Sequence, residues 1–374
     1  MSWRSSQLGD VLELRYGKAL PDRDRKFGDI PVYGSGGIGG WHDAALVSGP
    51  GVIVGRKGSV GSVFYEARNF FPIDTAYYVV PKVDQIDLRY SYFLLSSLQL
   101  ASMNSDVAVP GLNRDRALGL EIRLPSMAVQ KSIADLLSTY DDLIENNRRR
   151  MALLEESARL LYREWFVRLR FPGYEHTPIV DGVPQGWERK TLGEVTYINQ
   201  RNLANTFDGE IEYIDIASVT RNSVNETTTY EFRDAPGRAR RVVRHGDIIW
   251  SCVRPNRRSH AVIWQPAENL IASTGFVVMS PKSLPTSFLY QAVTTDLFVG
   301  YLENHAKGAA YPAVVSGDFE RATILVPPSA LLTSFDEVAA PLLDQGQNLA
   351  AQIQKLRTAR NVLLPRLMSG ELAV

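Results

Sequence analysis

The sequence predicts an α+β chain: two mixed α/β globular units joined by two long antiparallel helices that pair as a coiled coil, with pseudo-two-fold symmetry. Three observations predict it. First, the stretch from Val109 through the first long helix recurs 202 positions later, so that Pro110 aligns with Pro312, Ile122 with Ile324, and Leu124-Pro125 with Val326-Pro327. Second, Tyr140, Ile144, Asn147, Met151, Leu154, Ala158, Leu161 and Trp165 alternate spacings of four and three, a heptad seam over more than three heptads. Their counterparts are Leu342, Gly346, Leu349, Ile353, Leu356, Arg360, Leu363 and Leu367. Third, each unit opens alike. Trp3 precedes Leu8-Gly9-Asp10-Val11, and Trp187 precedes Leu192-Gly193-Glu194-Val195 at an offset of 184, so the second unit carries a net insertion of 18 residues.

Residues 1–126 read as the first globular unit. Gly51-Val52-Ile53-Val54-Gly55 and Ala76-Tyr77-Tyr78-Val79-Val80 are short β-prone runs bounded by breakers. From Leu88 to Leu95 the apolar residues stop alternating, which predicts a helix. Residues 127–170 form the first spacer helix, stopped by Phe171-Pro172-Gly173. Residues 171–186 are rich in proline and glycine and make a semi-rigid linker. Residues 187–328 repeat the grammar of the first unit, with Gly246-Asp247-Ile248-Ile249-Trp250 and Thr274-Gly275-Phe276-Val277-Val278 as strands. Residues 329–374 are the second spacer helix and a C-terminal tail, where Pro341 and Gly346 predict broken or shifted first turns. A seam with Asn147 in one copy, and Gly346 and Arg360 in the other, is poor for self-dimerisation. It suits two helices packed on each other within one chain. The globular unit between them favours an antiparallel pair; the plainer alternative is two amphipathic helices, each capping its own unit.

Composition excludes several classes. The chain has 374 residues and a formal net charge of zero, so contact with nucleic acid must rest on local clusters. One cysteine, Cys252, allows no internal disulfide and fits a reducing cytosol. The start MSWRSSQLGD lacks a signal-peptide pattern, and no apolar run spans a membrane. The expectation is a cytoplasmic protein without membrane contact.

Gly34-Ser35-Gly36-Gly37-Ile38-Gly39 matches a dinucleotide-binding pattern, but the next residues, Gly40-Trp41-His42-Asp43, do not open a helix well, so a glycine-rich loop is expected. Asp181 with Glu188 and Lys190 resembles a nuclease set, but it lies in the linker, where nothing rigid would hold a metal. Five histidines lack metal-ligand spacing, so no metal site and no catalytic residue is expected. The basic cluster is different: residues 232–260 hold eight arginines against two aspartates, a local charge of +6. Arginine's planar fork suits phosphate oxygens and guanine, and asparagine suits adenine. Arg241, Arg244, Arg254, Asn256, Arg257 and Arg258 are therefore candidates for DNA contact, the plainer reading being a solvated face. In the first unit Arg56, Lys57 and Ser59, within Gly55-Arg56-Lys57-Gly58-Ser59-Val60-Gly61, are the counterpart, or else an ordinary hairpin turn.

These segments together resemble the specificity subunits of type I restriction-modification systems. The resemblance is carried by Ile144-Glu145-Asn146-Asn147-Arg148-Arg149-Arg150, Leu160-Leu161-Tyr162-Arg163-Glu164-Trp165-Phe166, Val183-Pro184-Gln185-Gly186-Trp187 and Leu364-Pro365-Arg366-Leu367-Met368-Ser369-Gly370-Glu371-Leu372. Gly55-Arg56-Lys57-Gly58-Ser59 and Val253-Arg254-Pro255-Asn256 look like signatures of target recognition domains. The resemblance implies a non-catalytic subunit with two target recognition domains, each reading one half of a split double-stranded DNA sequence. It implies a helix pair that sets the gap and docks two methyltransferase subunits, with restriction (motor-nuclease) subunits joining the complex. This chain would need no cofactor; S-adenosylmethionine would belong to the methyltransferase. The alternative is a coiled-coil adaptor whose domains bind proteins, which predicts no retention of DNA.

Overall fold

The computed structural model describes residues 3–82, 85–103 and 111–374, so Val109 and Pro110 of the repeat lie outside the described residues. The chain divides into two compact units, Met1–Asn147 with Gln352–Val374, and Arg148–Ala351. Each unit thus takes one globular part and one half of each long helix, and both mix helix with sheet.

In the first unit a four-stranded antiparallel sheet runs in the order Leu12–Tyr16, Ala76–Pro81, Gly51–Gly55, Val63–Glu66. Gly51–Gly55 is buried throughout, which explains its unbroken apolar sequence. The second unit builds the same order from Thr196–Ile198, Phe276–Pro281, Ile248–Ser251 and His260–Val262. Each unit adds a second sheet that contains a parallel pair, Ile30–Gly34 with Phe71–Pro72 in a three-stranded sheet and Glu210–Ile214 with Leu270–Ser273 in a four-stranded one. Each closes with a two-stranded ribbon at the foot of a long helix, Arg4–Gln7 with Glu121–Leu124 and Glu188–Thr191 with Thr323–Val326. Among the described residues, the ribbon Val219–Thr220 with Ser223–Val224 and the strand Ala239–Val242 have no strand counterpart in the first unit. The extra length of the second unit lies in this region.

Gly34 to Gly39 is a hairpin between Ile30–Gly34 and Gly37–His42, with no helix after it. Glycine therefore serves a sheet turn here, not a nucleotide.

The first long helix runs Met127–Tyr162 and then loosens into a π-helical turn, Arg163–Val167. The wider turn drives Phe166 into an aromatic cluster with Tyr162, Phe288 and Phe335. Phe335 is fully buried there, and burial of one such ring contributes roughly 2–3 kcal/mol. The second long helix, Ser329–Ser369, is continuous through Pro341 and Gly346, which corrects the expectation of broken first turns. Packing of Phe335, Ala339 and Leu349 against neighbours outweighs the local cost of proline and glycine.

Within each unit the helix halves pair antiparallel. In the first unit Arg360 Nη1 bonds Asp141 Oδ1 at 2.6 Å, and Asn147 Nδ2 donates to Gln352 Oε1 at 3.3 Å. Arg360 stands at a seam position because a carboxylate meets it there. In the second unit Trp165 and Phe166 meet Phe335, while Met151 and Leu154 face Leu342 and Gly346 across a small cavity. Ile144, Asn147, Ala158, Leu349, Ile353 and Leu367 are buried. Tyr140, Met151, Leu154, Leu161, Trp165, Leu342, Leu356 and Leu363 are half-buried.

Each unit's opening tryptophan packs at a helix end. Trp187 meets Phe166 and Phe171 at 5.8 and 5.0 Å between ring centres. Gly370, at φ +78°, ends the second long helix where a side chain would strike the Trp3 ring at 2.8 Å.

Candidate nucleic-acid interface

Two loops carry the exposed polar groups singled out from the sequence. In the first unit the chain turns between Gly51–Gly55 and Val63–Glu66. At Gly55 a Cβ would lie 2.1 Å from the Ser59 carbonyl, so only glycine closes this turn. Lys57 and Ser59 stand exposed at its tip. Arg56 is more confined. Its guanidinium donates to the Asp74 carbonyl at 2.9 Å and lies 4.9 Å from the centre of the Tyr16 ring. Arg114 approaches the same ring at 5.5 Å, and Tyr77 packs edge-on to it at 5.0 Å. Burial, then the neighbouring Tyr16 hydroxyl, push the Tyr77 phenol up to about 12. Tyr16 and Arg114 were not among the sequence candidates, because four distant segments assemble this platform.

In the second unit the chain leaves Ile248–Ser251 and makes a tight turn, Pro255–Arg257, bracketed by Arg254 and Arg258. Both arginines are left-handed, at φ 51° and 53°, a conformation costly for a residue with a Cβ. Arg254 lies 4.5 Å from the centre of the Tyr311 ring, and its Nη2 donates to the Ala310 carbonyl at 3.3 Å. Arg258 pairs with Asp296. Asn256 and Arg257, at the apex, are exposed.

The two loops occupy equivalent places. The Leu112 amide donates to the Arg56 carbonyl at 2.9 Å, and 202 positions on, the Val314 amide donates to the Cys252 carbonyl at 2.9 Å. The same backbone bond therefore seats both loops, although their side chains differ.

The remaining candidates separate by burial. Arg244 is exposed, and its amide donates to Asp247 at 2.7 Å. Arg241 is half-buried, its Nη1 donates to Asn202 at 2.7 Å, and burial lowers its pKa. It is tied into the sheet, apart from the exposed set. Burial likewise pushes the Cys252 thiol up to about 11. Burial, then Arg221 and Arg258, push His260 down to about 3, so its imidazole is neutral at physiological pH. Among the described residues no three His, Cys, Asp or Glu side chains gather as metal ligands. Among them no helix is long and apolar enough to cross a membrane.

Residues 1–156 match the family described as type I restriction modification DNA specificity domain. The chain is 24% identical over 318 residues to the type I restriction enzyme MjaIX specificity subunit of Methanocaldococcus jannaschii, covering 79% of this chain and 71% of that one. It is 23% identical over 170 residues to the HindI specificity subunit of Haemophilus influenzae, covering 42% of this chain and 36% of the relative. In fold it is similar to the crystal structure of a type I restriction-modification S subunit from M. genitalium, with a TM-score of 0.64 at 17% identity over 98% of this chain and 96% of the other.

Proposed function

We propose that the chain is a DNA-specificity subunit of a type I restriction-modification system, and that its parts divide the work as follows. Each unit reads one half of a bipartite duplex target through its own loop. Lys57 and Ser59, with Arg56 and Arg114 held on Tyr16, serve the first half. Asn256 and Arg257, with Arg254 and Arg244, serve the second. The equivalent seating of the two loops carries this reading: one backbone device presents two different sets of donors and acceptors, so the two half-sites differ in sequence. The helix pair sets the gap between the halves and docks two methyltransferase subunits, which supply S-adenosylmethionine chemistry; restriction subunits join for cleavage. The chain itself contributes recognition and no turnover.

Selection from randomised duplexes, with the methyltransferase present and at stated salt, tests this. Wild type returns a two-part consensus with a fixed gap. Arg257→Ala relaxes one position in one half by roughly 1–3 kcal/mol if Arg257 reads a base, and leaves the other half unchanged. Lys57→Ala with Ser59→Ala acts only on the opposite half. A consensus with no gap, or variants that act on both halves alike, would refute the division.

A further inference from the structure

A cavity of about 200 Å³ in the second unit is lined by Arg159, Arg163, Arg221 and Arg258 against one carboxylate, Asp296. That is room for several waters at roughly 30 Å³ each. Its cations come from three places. Arg159 and Arg163 are one turn apart on the first long helix, with Arg163 opening the π-helical turn. Arg221 stands in the turn between Val219–Thr220 and Ser223–Val224, whose Asn222 accepts from the Tyr290 hydroxyl at 2.6 Å. Arg258 ends the reading loop. Arg159 pairs with Glu156 and Arg258 with Asp296. Among the described residues, Arg163 and Arg221 have no carboxylate within ion-pair distance, and both are exposed to solvent. Arg258, then Arg159 and Arg221, hold the Asp296 carboxyl below its usual range. Thr294 and Thr295, at the start of the helix Asp296–His305, complete the wall with hydroxyls and the positive end of a helix dipole. The two helix arginines are not repeated: Asn361 and Pro365 stand 202 positions after Arg159 and Arg163.

We propose that this arginine cavity is a phosphate-binding site of the second unit, separate from base reading. Planar guanidinium forks from three directions match the oxygens of one phosphate group, and an arriving phosphate would draw Arg258 from Asp296 and fix the end of the reading loop. The ligand chemistry is a phosphate ester. Its source is a phosphate of the bound duplex, a choice that rests on the DNA-specificity reading, or a free phosphorylated compound.

The test uses the full chain and the double variant Arg163→Gln with Arg221→Gln. Thermal unfolding is compared in potassium phosphate and in potassium chloride of equal ionic strength and pH. Phosphate raises the wild-type midpoint by about 2 °C or more, and the variant loses that increment. Equal shifts in both proteins, or none in wild type, overturn the site. Circular dichroism of the variant confirms that it is folded. Duplex affinity is then followed against salt with the methyltransferase present. A log–log slope smaller by roughly one in the variant, with sequence preference kept, assigns the phosphate to the DNA backbone. An unchanged slope beside a lost phosphate shift excludes the duplex and assigns a free phosphorylated compound. Wild type that shows the phosphate shift but holds no duplex sinks the DNA reading and leaves the cavity standing.

Discussion

At the scale of single residues, Gly346 is the clearest departure from the heptad rule. It lies within the helix Ser329–Ser369, and a Cβ there would meet nothing within 4 Å. Glycine in a helix interior costs about 1 kcal/mol relative to alanine, through backbone freedom lost on folding. Gly346→Ala should therefore stabilise the chain by roughly 0.5–1 kcal/mol, read as a higher urea midpoint at an unchanged slope. A lower midpoint would mean that the helices close over this spot. Other residues could be judged from sequence only in part. That Asn256 and Arg257 are polar and follow a proline was visible; that Arg241 is half-buried on Asn202 was not, since eight arginines in one stretch look alike until a sheet buries some of them. Arg360 looked like a fault in the seam, and Asp141, which explains it, is 219 residues away in sequence.

At the scale of elements, periodicity was legible wherever one face is buried. The seam residues and the runs Gly51–Gly55 and Ala76–Pro81 could be read for that reason. The π-helical turn could not, because side-chain spacing does not encode a change in backbone bonding that tertiary packing of Phe166 imposes. Exposed positions of the long helices hold a second pattern. Leu136 and Val338 are exposed 202 positions apart, and so are Leu160 and Val362. Within the first unit the antiparallel register, set by Asp141–Arg360 and Asn147–Gln352, brings Leu136 within one turn of Val362. The second unit's helices pair in the same sense, and the repeat assigns it the equivalent couple, Leu160 and Val338. A recurrent exposed apolar couple is what two copies of one partner would need, and it suits the proposal that two methyltransferase subunits dock on the helices. Leu136→Glu should reduce the assembly from two methyltransferases per chain to one, measured by mass photometry or light scattering, with Leu160→Glu doing the same for the other copy. Retention of two partners in both variants would place docking elsewhere.

At the scale of the whole molecule, the helix pair is the part whose length can be changed without touching either loop proposed to read bases. Seven residues preserve the seam, because the apolar repeat is 3.5 residues. Insertion of one heptad after Arg149 needs a matching heptad after Leu349, the junction opposite it by the register of Asn147 with Gln352. Each insertion adds about 10 Å of helix at 1.5 Å per residue, equivalent to up to about three base pairs of duplex at 3.4 Å each. If the pair acts as a ruler, the selected consensus should keep both half-sites and widen only the gap between them. Insertion in one helix alone should instead lower stability, since it shifts one side of the seam past its partner and separates Asp141 from Arg360. A gap that stays fixed when both helices grow, in a variant that still assembles with the methyltransferase, would mean that the spacing is set by the partner subunits and that the helices serve only to hold the units together.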